Sequence, residues 1–305
     1  MNLYYQGTDI TGYVRMRSCV VRDSAGERCD SLKIEFDDAK TWTEWGVQED
    51  DEIRVTHNGY DSGILYLNTV LPENGVYTLL ATALPCRARK KEYRSYAGKS
   101  LEEILLSCGM ASGMGYALFG LDGRISVPYI QQENESCAAF LTRLLQMEGA
   151  VLKCVNGKYT GIGILYAQDL TPSQSLELGP NSEKAEYRRG GSSLRSLTVR
   201  TPYGSATAKD INVPSTHARQ VRNDVPARDS VQAGRWARGL LLGENRKSES
   251  LTLETAFNIG FTAMARIDIT GSTDATGEWL VQEAEHDLIN LTSRAVLRRC
   301  IRSIE

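Results

Sequence analysis

Apolar and polar residues alternate with a period of two through much of the first eighty positions, as strands with one buried face require. The runs lie at residues 14–20, 32–37, 52–56, 63–68 and 76–80. In the clearest of them Leu32, Ile34 and Phe36 interleave with Lys33, Glu35 and Asp37. Turn formers separate the runs: Asn58-Gly59, Asp61-Ser62-Gly63 and Pro72-Glu73-Asn74-Gly75. Many short strands at even spacing predict a small antiparallel barrel or sandwich.

The period then changes. Ser100-Leu101-Glu102-Glu103 fits a capping box, in which serine and glutamate satisfy each other's orphan amides. Ile104, Leu105 and Cys108 follow on one helical stripe, with Gly109 as a stop. A second helix follows residues 131–136, which read as a loop: Cys137, Phe140, Leu141 and Leu144 share a face, and Gly149 stands where a left-handed cap is wanted. Residues 151–155 and 158–160 flank Asn156-Gly157, a strong hairpin signal. Residues 168–191 are polar and rich in Gly, Pro and Ser, a linker or surface crossing. Strand patterns resume as a hairpin at residues 194–200 and after Tyr203-Gly204. Ala233, Trp236, Ala237 and Leu240 mark a helix ending near Gly243, and strands at 251–257, 265–269, 279–284 and 294–301 complete a second β unit.

With 41% hydrophobic and 24% charged residues in 305, the chain has the composition of an ordinary globular protein, long enough for two or three units. Its apolar runs fall short of the roughly 20 residues a bilayer span needs, so no membrane insertion is expected. Nor does the N-terminus have the basic lead and apolar stretch of a signal peptide. Seven scattered cysteines, none in a Cys-x-x-Cys spacing, read as reduced thiols of a cytoplasmic product. A net charge of −3 gives no global basic field for nucleic acid, and the clusters at 87–91 and Arg298-Arg299 read as solvated faces or subunit contacts.

The chain carries few candidates for chemistry. His57, His217 and His286 lie far apart, without a ligand partner three or four residues away. Glu133 and Glu135 are the pair a glycosidase reading would need; two residues apart before a helix, they are better explained as dipole partners and cap support. Gly109, Gly113, Gly115 and Gly120 lack phosphate-loop spacing and read as a flexible or tightly packed connection. Trp42, Trp45 and Trp236 read as core or subunit-contact residues, because no basic stripe interleaves them. No catalytic, cofactor-binding or metal-binding residue is assigned.

The segment Gly98-Lys99-Ser100-Leu101-Glu102-Glu103-Ile104-Leu105, then Tyr129-Ile130-Gln131-Gln132-Glu133-Asn134-Glu135-Ser136, then Phe140-Leu141-Thr142-Arg143-Leu144 with Glu148-Gly149-Ala150, resembles the late control protein D family of phage tails. That family includes the baseplate hub proteins of contractile phages, parts of phage-like bacteriocins and the N-terminal part of type VI secretion spike proteins. Gly277-Glu278-Trp279-Leu280-Val281, through Glu285-His286-Asp287-Leu288 to Leu297-Arg298-Arg299, is similar to its closing strands, where His286 would be structural at a strand end.

The resemblance implies a mainly β protein with an α+β insert: two tail-tube-like antiparallel β-barrels linked by a small α/β domain. The expected divisions are a first barrel over 1–85, the α/β domain over 86–165, and a linker plus second barrel with one helix over 166–305. It implies a homotrimer adapting a hexameric tail tube to a trimeric central spike. The implied partners are a tail tube or tube-initiator protein, a central spike protein, the tape measure protein and the baseplate wedge, with phage DNA only in transit. Type VI spike proteins continue into an oligonucleotide-binding-like domain and a β-helical needle, whereas this sequence stops at Glu305, which favours a hub holding a separate spike. The expected location is the baseplate of a virion or tail particle, assembled in the bacterial host cytoplasm. A tail-associated cell-wall hydrolase, and the same hub role in a bacteriocin or contractile injection system, stay open as alternatives.

Overall fold

The alternating N-terminal patterns become β1 (Asn2–Tyr5), β2 (Thr8–Asp9), β3 (Met16–Ser24), β4 (Ser31–Phe36), β5 (Glu52–His57), β6 (Tyr60–Asp61), β7 (Leu65–Glu73) and β8 (Val76–Thr82). The computed structural model describes residues 1–26, 28–37, 44–73, 75–179, 185–190 and 193–305. In β4 the inward Leu32, Ile34 and Phe36 are buried, as the period-two pattern requires.

The middle segment holds β9 (Lys91–Ser100), α1 (Leu101–Ser112), β10 (Gly115–Phe119), β11 (Ser126–Ser136), α2 (Cys137–Met147), β12 (Ala150–Val155), β13 (Lys158–Gly163) and α3 (Ile164–Asp169). The capping box is present: Ser100 Oγ accepts from the Glu103 amide at 3.2 Å, and the Ser100 amide donates to Glu103 Oε2 at 2.8 Å. α1 runs past Gly109, the expected stop, to a left-handed Gly113. Gly109 is instead a packing glycine, because a Cβ there would stand 2.6 Å from the Met114 carbonyl oxygen. Residues 131–136 are the end of β11 rather than a loop, laddered against β9. The glycine-rich connection contains β10, which pairs in parallel with β13. The Asn156-Gly157 turn joins β12 to β13 with both residues at positive φ, as a type I′ hairpin requires.

The last segment holds β14 (Gln174–Glu177), β15 (Ala185–Arg189), β16 (Ser196–Thr201), β17 (Gly204–Lys209), β18 (Arg219–Arg222), α4 (Ser230–Asn245), β19 (Glu249–Ala256), β20 (Arg266–Thr270), β21 (Gly277–Asp287) and β22 (Thr292–Arg299). Two stretches of the expected linker, β14 and β15, are strands at the sheet margin. The hairpin β16–β17 forms a separate three-stranded sheet with β18.

The protein is mainly β with several sheets, but the expected pair of closed barrels is not observed: among the described residues no sheet closes on itself. The N-terminal strands run in the order β3-β4-β8-β7-β5-β1-β2, with β6 beside β5, and the C-terminal strands in the order β14-β20-β21-β22-β19-β15. The N-terminal group is an open run of eight strands and the C-terminal group one of six, and β21 pairs with β3 to fuse them. The outer edge of β3 that could have closed the first run is therefore spent on the second. A bulge between Val281 and Glu283 lets β21 pair first with β20 and then with β3.

Candidate functional site at a three-way junction

Where the two strand runs meet the middle segment, the chain buries a charge cluster. Along β3 the inward face reads Cys19, Val21, Asp23, so the last buried position of the alternation is a carboxylate. β12 is apolar at every position but Lys153, which is 8% exposed. Lys153 Nζ donates to Asp23 and to both oxygens of Asp30, the latter at 3.0 and 2.8 Å. Asp30 Oδ1 also accepts from the Ser24 amide at 2.9 Å, and Asp23 Oδ2 from the Ala263 amide at 3.0 Å. The cluster thus ties β3, β12 and the loop before β20 together.

Two buried carboxylates share one buried ammonium. Burial pushes Asp30 up to about 6; the Lys153 charge pulls it back and the Asp23 charge pushes it further. Burial pulls Lys153 down, but Asp23 and Asp30 outweigh it and hold it at about 12. Backbone bonds repeat the coupling: the Ala25 amide donates to the Gln282 carbonyl at 3.1 Å and the Gly26 amide to the Leu152 carbonyl at 2.9 Å. Val151, Ile164, Leu242, Met264 and Leu280 close an apolar cluster at the same junction.

α4 locks to the end of α2 in a similar way. Glu148, its side chain 1% exposed, accepts from Arg235 at 2.6 and 3.1 Å and from Trp236 Nε1 at 2.7 Å. Gly149 sits at positive φ against the backbone of Gly239, so the two elements touch where neither carries a side chain.

The sequence candidates are dispersed. His286, fully buried in β21, bonds through Nδ1 to Ser293 Oγ at 2.8 Å and through Nε2 to the Phe261 carbonyl at 3.0 Å. The carbonyl can only accept, so Nε2 carries the proton; Ser293 Oγ accepts the Asn258 amide and its hydroxyl donates to Nδ1. Burial lowers the His286 pKa. His57 and His286 meet through Phe257, at ring distances of 5.1 and 5.6 Å, whereas His217 Nδ1 lies 3.3 Å from the Ser193 carbonyl. Among the described residues no group of three or more His, Cys, Asp or Glu side chains is placed to hold a metal ion.

Glu133 and Glu135 flank a second bulge, at Asn134 in β11. Glu135 pairs with Arg143 at 2.6 Å, and Ser136 caps α2, accepting from the Ala139 amide at 3.2 Å. Glu135 thus stands directly before the capping residue of α2. Trp236 is buried and Trp45 stacks on Tyr5 at 6.4 Å, while Trp42 lies outside the described residues. The basic clusters are engaged: Arg89 meets Glu49 at 3.4 Å, and Arg299 meets Glu249 at 2.6 Å above the Trp279 ring. All seven cysteines are free thiols. Among the described residues no helix is long and apolar enough to cross a membrane.

The junction residues were missed by reading motifs. Two signals pointed to them, a lysine in an apolar strand and an aspartate at an inward position. With its charges bound to one another, the arrangement holds sheets and helices in fixed relation.

No protein-family model matches the sequence, and no curated protein matches it. Solved structures do. The tail protein from Neisseria meningitidis MC58 superposes with a TM-score of 0.76 over 98% of this chain and 95% of its own, at 9% identity. The fold is that of phage tail proteins. The 43 kDa tail protein of prophage MuSo2 from Shewanella oneidensis gives a TM-score of 0.73 over 98% of both chains, at 14% identity. An E. coli component of the type VI secretion system, described as similar to two bacteriophage T4 tail proteins, gives 0.58 over 99% of this chain and 77% of its own, at 11% identity. At such identities the likeness is one of fold, and the tail-protein fold extends over nearly the whole chain.

Proposed function

We propose that this protein is a structural, non-enzymatic component of a phage or phage-like tail, and within it the baseplate hub that adapts a sixfold tube to a threefold central spike. The observation that carries the reading is the end-to-end match to tail proteins. The hub reading adds the two strand runs, one N-terminal and one C-terminal. In the proposal each run is a tube-like module, and three copies of the chain set six modules in a ring. Such a ring presents sixfold repetition to the tube and true threefold symmetry to the spike, closing through repeated heterologous contacts. The junction keeps the two modules of one chain at a fixed angle, which an adaptor under load requires. The partners in this reading are two further copies of the chain, the tube or its initiator, the spike, and the tape measure and wedge proteins around them. DNA only passes through.

Antibody labelling of purified tail particles tests the assignment. Gold is expected at the baseplate end of the tube. Label along the sheath, on fibres or on the head would contradict the hub role.

A further inference from the structure

The sequence holds three Asn-Gly pairs. Asn74 lies outside the described residues, and the other two pairs stand in hairpin turns of one kind. Asn58-Gly59 joins β5 to β6 and Asn156-Gly157 joins β12 to β13, each as a two-residue loop between paired strands. All four residues have positive φ, 46° and 86° in the first turn and 48° and 66° in the second. Among the described residues neither the Gly59 nor the Gly157 amide donates a backbone hydrogen bond. With dipeptide and backbone matched, the two asparagine side chains are what differ.

Asn156 is anchored. Its Oδ1 accepts from the Ile64 amide at 3.1 Å and packs so close to Gly63 that a Cβ there would stand 2.6 Å away. The Tyr66 hydroxyl stands over Gly157, 3.3 Å from where a Cβ would be. Asn58 and Gly59 are exposed, and among the described residues the Asn58 side chain has no hydrogen-bond partner. Asn58 lines a surface cleft with Met1, His57 and Asp61.

We propose that Asn58 is a site of self-modification, at which the native chain converts its own asparagine to aspartate and isoaspartate with water as the only co-reactant. The Gly59 amide nitrogen loses its proton to solvent base and attacks the Asn58 side-chain carbonyl carbon. A ring C–N bond forms, the bond from that carbon to Nδ2 breaks, and Nδ2 takes a proton from water and leaves as ammonia. Water then opens the cyclic imide at either carbonyl, giving aspartate or isoaspartate. Glycine permits the attack because it sets no Cβ beside the nitrogen. At Asn156 the side chain must first break its bond to Ile64 to reach Gly157. Asn58 is therefore expected to convert about tenfold faster, the ratio for a barrier difference near the net worth of one hydrogen bond.

The isoaspartate product puts an extra backbone carbon into a turn that has room for two residues. The strand that follows carries Tyr60, whose ring lies 4.9 Å from His286 and 6.2 Å from Phe257, so conversion loosens the hold of β6 on the C-terminal strands. The chain thus carries a clock that starts when it folds. The inference rests on the two turns and does not depend on the tail role.

Incubating the full native chain in heavy-oxygen water at mildly alkaline pH, followed by peptide mapping with mass spectrometry, tests it, because each conversion fixes a heavy oxygen at the modified residue. Label is expected at Asn58 about tenfold faster than at Asn156, with isoaspartate among the products. In urea the Ile64 anchor is gone and the two sites are expected to convert at the same rate. The proposal is overturned if the native chain labels Asn58 no faster than Asn156, if the preference for Asn58 persists in urea, or if Asn58 stays unlabelled.

Discussion

Lys153 shows how much one residue can hold. Alone in a buried strand its ammonium would be severely destabilising; with Asp23 and Asp30 it links three segments distant in sequence. Lys153→Met leaves two buried carboxylates without a counter-charge and is expected to cost about 3–5 kcal/mol in urea unfolding. A loss below about 1 kcal/mol would contradict the clamp. Asp30 gives the cluster a pH signature. Its carboxyl, normally near 3.8, is raised to about 6, so its stabilising contribution is complete below the ordinary value and is lost as pH rises through about 6. A shift of that size corresponds to about 3 kcal/mol. Relative to Asp30→Asn, the native chain is therefore expected to gain stability as pH falls from about 7 to about 4, and comparing the two removes the opposite titration of His286. A flat or reversed difference would count against the assignment. Little of this was legible in advance. Alternation marks which face of β3 is inward, but nothing in the sequence says which lysine meets an inward acid 130 residues away.

Among the elements, those with local causes could be read and those made by distant pairing could not. The Ser100 capping box, the amphipathic stripe of α2 and the Asn156-Gly157 hairpin depend on residues within a few positions of one another, and each stands as the sequence implied. β9, β14 and β15 do not alternate cleanly, and exist because neighbouring strands offer them a ladder. Gly109 looked like a stop because a glycine after an apolar stripe is a common helix end, yet its role is to let α1 lie against the Met114 backbone. Gly239 is the corresponding case in α4. A Cβ there would collide with the Met147 carbonyl oxygen and the Gly149 nitrogen. Gly239→Ala is therefore expected to destabilise by about 1–3 kcal/mol through overpacking, although alanine favours helices. Thermal unfolding would show it, and a stabilised variant would mean that the α2–α4 contact is loose.

At the scale of the molecule, a run of eight strands and a run of six are fused edge to edge through β21 and β3, with the helical segment packed beside the seam. That strands lie at both ends of the chain could be read from the period of the sequence; their fusion into one open sheet could not, because the seam joins residues 20–24 to residues 283–287. It is this geometry that the adaptor proposal uses, since in that proposal two sheet modules joined in one chain let it occupy two positions of a ring. Cryo-microscopy of the assembled tail particle tests the proposal most directly. Three copies of the chain are expected in one ring between tube and spike, each filling two of six equivalent positions. Six copies with one position each, or a location away from the tube–spike boundary, would contradict it.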